Sequence, residues 1–162
     1  MIVVTDTSVV LNLCLLGLEE VLPMIFGEVQ APPAVKEEFL RLANVDRRFT
    51  SLAFPTFIVI RSPRSIHPLL LIPRLHKGEC EALSLAAEVH ASRVLMDEQA
   101  GRAAALKLGL NCIGLLGILI EARRQNLIPR LAPHLDRLQN EARFWFSQSL
   151  RIQVLQLAGE IP

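Results

Sequence analysis

Short apolar, β-branched runs alternate with helix-like runs along this chain, and that alternation constrains its fold more than any other feature. Residues 2–5 (IVVT), 28–31 (EVQA), 57–60 (FIVI) and 93–96 (RVLM) read as strands, with a last short one over 111–113. Between and after them come helix patterns with their own stops. Thr7 and Ser8 cap a run through Asn12 to Leu16 that Gly17 ends, and Leu18 to Phe26 closes at Gly27. Pro32 and Pro33 open AVKEEFLRLA. Further helices are expected from Gly78, over 98–108, 115–124, about 130–141 and 147–158. Strand followed by helix, repeated, predicts an α/β fold: a mostly parallel central sheet with helices on both faces, a three-layer α/β/α domain.

At 162 residues the chain is read as one domain, 1–162, with a helical extension from about residue 130. Apolar residues make up 51% and mean hydropathy is +0.38. A chain this greasy is expected to cover part of its surface, and a homodimer using Phe144, Trp145 and Phe146 is the expectation. The apolar run 113–120 is far short of a membrane span, and Cys14, Cys80 and Cys112 have no metal-ligand spacing. Those features point to a soluble protein of the reducing cytoplasm, with no membrane partner.

Acids stand where strands end and helices begin. Asp6 follows IVVT, Asp97 follows RVLM, Glu38 lies in the helix after the second strand, and Glu79 and Glu81 open the helix after Gly78. In a parallel sheet those places share one rim, so these acids are expected to converge and to need a hard divalent cation. Each has a plainer alternative. Asp6 and Asp97 suit N-caps, Glu37 rivals Glu38, and acids in a first turn favour the helix dipole. Glu79 and Glu81 lie about 200° apart around a helix, so only one can face the rim; Glu81 is favoured, with Glu79 its replacement. Asn12, one turn beyond Ser8, is placed to hydrogen-bond a cluster carboxylate or, as the plainer alternative, to be a solvated helix residue. Arg102 is placed to pair with Glu98 or to neutralise a cluster carboxylate.

Between Arg47 and Lys77 there is no acid, whereas Arg47, Arg48, Arg61, Arg64, Arg74 and Lys77 all lie there. The span reads as a basic edge for phosphates or as a solvated loop. Zinc spacing, dinucleotide and P-loop glycine motifs and a serine elbow are all missing. With seven Phe, one Trp and no Tyr, base stacking is expected to be a minor resource.

The stretches VVTDTSVVLNL, PPAVKEEF, HKGECEALSLAAE, VLMDEQAGRAAALKLGL and IGLLGILIEAR, taken in order, resemble the PIN-domain family. The likeness is to VapC-like toxins and a related branch of prokaryotic PIN proteins, and it spans most of residues 1–124. It implies a small α/β/α nuclease in which acids bind Mg²⁺ or Mn²⁺ and single-stranded RNA is cut. On this chain those acids match Asp6, Glu38, Glu81 and Asp97, with Ser8 and Asn12 beside them. The departure is at the third acid, where typical members carry an aspartate and this chain offers GECEA. The resemblance also implies a toxin of a type II toxin–antitoxin pair, dimeric and inhibited by a small antitoxin. The alternatives are a catalytically weak or inactive PIN-fold module that binds protein or RNA and, from another class, a receiver-like phosphoacceptor. The latter would need an acidic pair at the first strand, where the chain supplies only Asp6.

Overall fold

The computed structural model describes residues 1–162. Five strands form one sheet: β1 (Ile2–Thr5), β2 (Glu28–Ala31), β3 (Val59–Ile60), β4 (Arg93–Leu95) and β5 (Cys112–Ile113). Every neighbouring pair is parallel and the spatial order is β3-β2-β1-β4-β5. The helices are α1 (Thr7–Leu16), α2 (Val21–Phe26), α3 (Pro33–Val45), α4 (Lys77–Glu88), α5 (Gln99–Lys107), α6 (Leu115–Arg124), α7 (Ala132–Asn140) and α8 (Gln148–Leu157).

β1 is central because its side chains suit burial on both faces: Val3, Val4 and Thr5 have no exposed surface. Alternation sends Val3 and Leu95 into a large core with side chains from α1, α2, α3, α6, α7 and α8. Val4, Val94 and Met96 point the other way, into a smaller core built on α4 and α5. Sandwiching the sheet between helices on both faces gives the expected three layers. The helices from residue 130 onward belong to the large core through Leu135, Leu138, Val154 and Leu155, so they are integral to it.

Three of the expected strands shrink, 93–96 by its last residue and two others at the sheet edges. Residues 57–60 give only Val59–Ile60, and 111–113 only Cys112–Ile113, because both are edge strands with a partner on one side alone. Residues 46–76 are otherwise irregular, holding β3 and two 3₁₀ turns at Arg47–Phe49 and Pro68–Leu70.

Chain order matters most at β1. After it the chain builds β2 and β3 on one side, then crosses back to lay β4 on the other. The ends of β1 and β4 therefore sit together where the connections diverge, the place at which open α/β sheets form a crevice. Asp6 N–H donates to the Leu95 carbonyl at 3.0 Å, which locks the two strand ends side by side.

Candidate functional site

Asp6 leaves β1 at that crevice and performs both roles its position allows. Its Oδ1 accepts from Val9 N–H at 3.0 Å, capping α1, and Ser8 Oγ lies 3.3–3.4 Å from its carboxylate oxygens. The same carboxylate lines a cleft of about 60 Å³ with Thr7, Ser8, Glu38, His76, Gly78, Glu79 and Glu98, none of them hydrophobic. Burial raises the Asp6 pKa to about 7; the Val9 N–H and Ser8 hydroxyl oppose that rise, while the Asp97 and Glu79 charges add to it.

Glu38 reaches the cleft from α3, where Thr7 Oγ1 donates to its Oε2 at 2.8 Å. Glu37, the next residue on the helix, is exposed and does not line the cleft. Glu79 enters from α4. It is buried, and its carboxylate accepts from His76 N–H at 2.9 Å. Burial raises its pKa, and Glu98 raises it further through its charge and a shared hydrogen bond.

Glu81 departs from the expectation. Its Oε2 accepts from Ala34 N–H at 3.3 Å at the start of α3, and its Oε1 is 4.0 Å from Lys77 Nζ. The 200° between residues 79 and 81 is the cause: α4 turns Glu79 into the cleft and Glu81 away from it. Asn12 also stays apart from the carboxylates, donating its amide to the Ser8 carbonyl at 3.0 Å.

Asp97, expected in the cluster, does not line this cleft; it ends the neighbouring strand, near enough for its charge to act on Asp6. Its cap is not for the following helix but for α6: Oδ1 accepts from Leu115 N–H at 3.0 Å. Oδ2 is buried with no partner. Burial raises the Asp97 pKa against the pull of Leu115 N–H and the Arg102 charge. Gly114 is required here, since a Cβ would stand 2.4 Å from Asp97 Oδ1 and 3.0 Å from Arg102 Nη1. Arg102 is exposed and makes no ion pair; its partner is the Met96 carbonyl at 3.5 Å, not Glu98.

Half of the basic span is occupied with its own neighbours. Arg48 pairs with Asp46 at 2.7 Å and donates to the Ala142 carbonyl, Arg64 meets Glu88 at 3.5 Å, and Lys77 meets Glu81. Arg47, Arg61 and Arg74 are exposed without an acidic partner, and none of the six lines the acidic cleft. Arg41, outside the span, lines an adjoining groove with Glu38, His76 and Lys77.

Three lining residues escaped the sequence reasoning: Thr7, His76 and Glu98. Glu98 left a signal, because it occupies the N-cap of α5 without capping it. Glutamate is a poor capping residue, and an acid there has another use.

No three His, Cys, Asp or Glu side chains enclose a common point as they lie. The donor chemistry nevertheless suits a hard divalent cation: hard oxygen ligands, acids whose pKa burial and neighbouring acids raise, and the orphaned Asp97 Oδ2. A polar cleft of about 60 Å³, above the roughly 10–15 Å³ that one water needs, fits an ion that keeps part of its hydration shell.

A family model described as a PIN domain matches residues 2–160. Among solved structures, the chain is similar to a PilT N-terminus domain protein of the hyperthermophilic archaeon Sulfolobus solfataricus P2. The two share 18% identity and a TM-score of 0.53, over 75% of this chain and 93% of that one, a likeness of fold. No curated protein matches the sequence. No helix is long and apolar enough to cross a membrane.

Proposed function

This chain belongs to the PIN domain family, in general nucleases that use divalent metal ions, and from that premise we propose a Mg²⁺- or Mn²⁺-dependent endoribonuclease acting on single-stranded RNA. The observation that carries the reading is the cleft in which Glu38, Glu79 and Glu98 surround Asp6 with no Lys or Arg in its lining, and Asp97 at the neighbouring strand end close enough for its charge to act on Asp6. Asp6, Glu79 and Asp97 are the acids to hold the ion, with Glu38 fixed beside them by Thr7. A bound divalent cation neutralises phosphodiester charge and lowers the pKa of its water. The residues themselves do the positioning. Val9 N–H and Ser8 orient Asp6, Leu115 N–H aims one oxygen of Asp97 and leaves the other free, and His76 N–H holds Glu79. Arg102, beside Asp97 and without an ion pair, is placed to meet the RNA backbone on one flank; on the other, Arg41 pairs with Glu38 at 4.0 Å and is exposed enough to reach a phosphate as well.

The resemblance to VapC-like proteins supports a finer reading, the toxin of a type II pair, dimeric and held by a small antitoxin. Leu69, Leu71 and Ile72 form an exposed apolar run on the irregular segment that suits such a partner. A second reading, a PIN-fold binding module without catalysis, is favoured by one observation: the acids do not enclose an ion as they lie. Incubating a mixed RNA panel with Mg²⁺, Mn²⁺ or chelator separates the two. Cleavage that needs the metal and disappears in Asp97→Asn supports the nuclease; RNA retained intact under every condition supports the module.

A further inference from the structure

Trp145 is the only tryptophan of the chain, and it is 83% exposed beside the acidic site. Its exposure is imposed by the loop between α7 and α8. Arg143 takes a left-handed backbone (φ 54°) after α7, and Phe144 N–H then donates to the Leu138 carbonyl at 2.9 Å. From there the chain runs without helix or turn to the cap of α8 at Ser147. Phe146 is buried in the large core, its carbonyl accepts from the Gln139 amide at 3.3 Å, and the Phe144 ring packs 6.3 Å from its own. With its neighbours anchored inward on both sides, the intervening side chain must point out.

That indole overlooks a groove of about 470 Å³ whose walls include Asp97, Arg102, Gly114, Gly117 and Leu150. One end is therefore the acid that flanks the cleft, with the unpaired Arg102 guanidinium next to it. The Gly114 contact keeps both in touch with the groove floor, where any side chain would collide with them.

We propose that this groove is a nucleotide subsite in which Trp145 stacks one base of a single-stranded nucleic acid whose backbone passes Arg102 to the acidic cleft. The pairing of groups selects this occupant. A nucleotide offers a π-face and an anion together, which an exposed indole beside a guanidinium that makes no ion pair matches, whereas an apolar helix would meet the indole and leave the Arg102 charge unanswered. The proposal rests on the nuclease reading for what lies beyond Asp97, but its own binding step is independent of cleavage.

As the sole tryptophan, Trp145 reports its own environment. The full chain, held in chelator, is titrated with short oligouridylate, its deoxy counterpart, the same RNA carrying an abasic position, and duplex RNA. Expected is quenching of emission by both single strands, binding about tenfold weaker for Trp145→Ala, and most of the affinity regained in Trp145→Phe. Quenching by oligouridylate but not its deoxy counterpart would restrict the subsite to RNA and keep it. Wild-type affinity in Trp145→Ala, or no binding of any strand, overturns it. So does a concentration-dependent blue shift without RNA that Trp145→Ala abolishes along with self-association, since a second copy then covers the face. Metal-dependent cleavage with an unchanged KM in Trp145→Ala would leave the nuclease reading standing and remove the subsite. Trp145-dependent binding without cleavage in either metal would do the reverse.

Discussion

The acidic cleft and the C-terminal clasp treat the same functional group in opposite ways. At the clasp, Glu160 sits against the start of α7, accepting from Leu131 N–H, from Ala132 N–H at 3.2 Å, and from Arg123 Nε at 3.2 Å. Burial alone would raise its pKa, but those donors outweigh it and hold the carboxyl below the usual range. At the cleft and its neighbouring strand end, burial acts on Asp6 and Asp97 with fewer donors, and both pKa values rise, helped at Asp6 by the Asp97 and Glu79 charges and opposed at Asp97 by Arg102. One carboxylate is consumed in holding the molecule together. The others are kept unsatisfied, which costs stability and leaves them available for a cation.

The sharpest way to break this contrast is to remove charge from the cleft. Asp6→Asn keeps an oxygen for Val9 N–H, so the cap of α1 survives while the ligand charge is lost. Metal-dependent cleavage should fall by on the order of a hundredfold or more, and the rise in melting temperature on adding Mn²⁺ should shrink. Full activity with an unchanged metal response would reduce Asp6 to a helix cap.

At the clasp the effect should fall on stability. Glu160→Ala strands the Arg123 charge and two N–H groups, an expected loss of about 3 kcal/mol in urea unfolding, with cleavage per folded molecule unaltered. A loss below about 1 kcal/mol would mean that the tail frays apart from the cooperative unit.

The two regions should also respond to pH with opposite sign. Asp6 has a folded pKa near 7, above its unfolded value of 3.8, so its folded form gains protons first. The metal-free protein should therefore lose on the order of 4 kcal/mol as pH rises from about 4 through 7. Glu160, lowered on folding, contributes stability above the ordinary carboxylate range that is lost as pH falls through its folded pKa. Melting curves in chelator should show a neutral limb that flattens in Asp6→Asn and an acid limb that weakens in Glu160→Gln.

The smallest test separates two acids on one helix. Glu81→Gln should shift stability by less than about 1 kcal/mol and leave cleavage intact, because its bonds to Ala34 and Lys77 are long and partly solvated. Glu79→Gln should weaken the metal response. The reverse outcome would assign the ion to Glu81.

Much of the fold was legible because local patterns and global packing agree. The five apolar runs are the five strands, the glycines at 17 and 27 do end α1 and α2, and the prolines at 32 and 33 do open α3. The candidate site was legible in part. Asp6, Ser8 and Glu38 could be placed from strand ends and helix periodicity, but the choice between Glu79 and Glu81 could not. That choice depends on how α4 is rotated against its neighbours, which the residues of α4 alone do not state. The basic span is a similar case: Arg48, Arg64 and Lys77 meet Asp46, Glu88 and Glu81, which lie outside it in sequence and beside it in space, while Arg47, Arg61 and Arg74 have no acidic partner.

What the sequence by itself determined is the set of elements, their parallel layering, and the placing of acids at one rim, because β-branched runs and helix stops act within a few residues. What only the tertiary structure decided is which group each acid meets. Asp97 caps a helix 18 residues away, Thr7 clamps a glutamate 31 residues away, and Glu160 binds residues 28 and 29 positions back. Trp145 likewise became exposed because its two neighbours are held inward. Such pairings follow from chain crossings and helix rotation, which are set by the packing of the whole core and by no local run of residues.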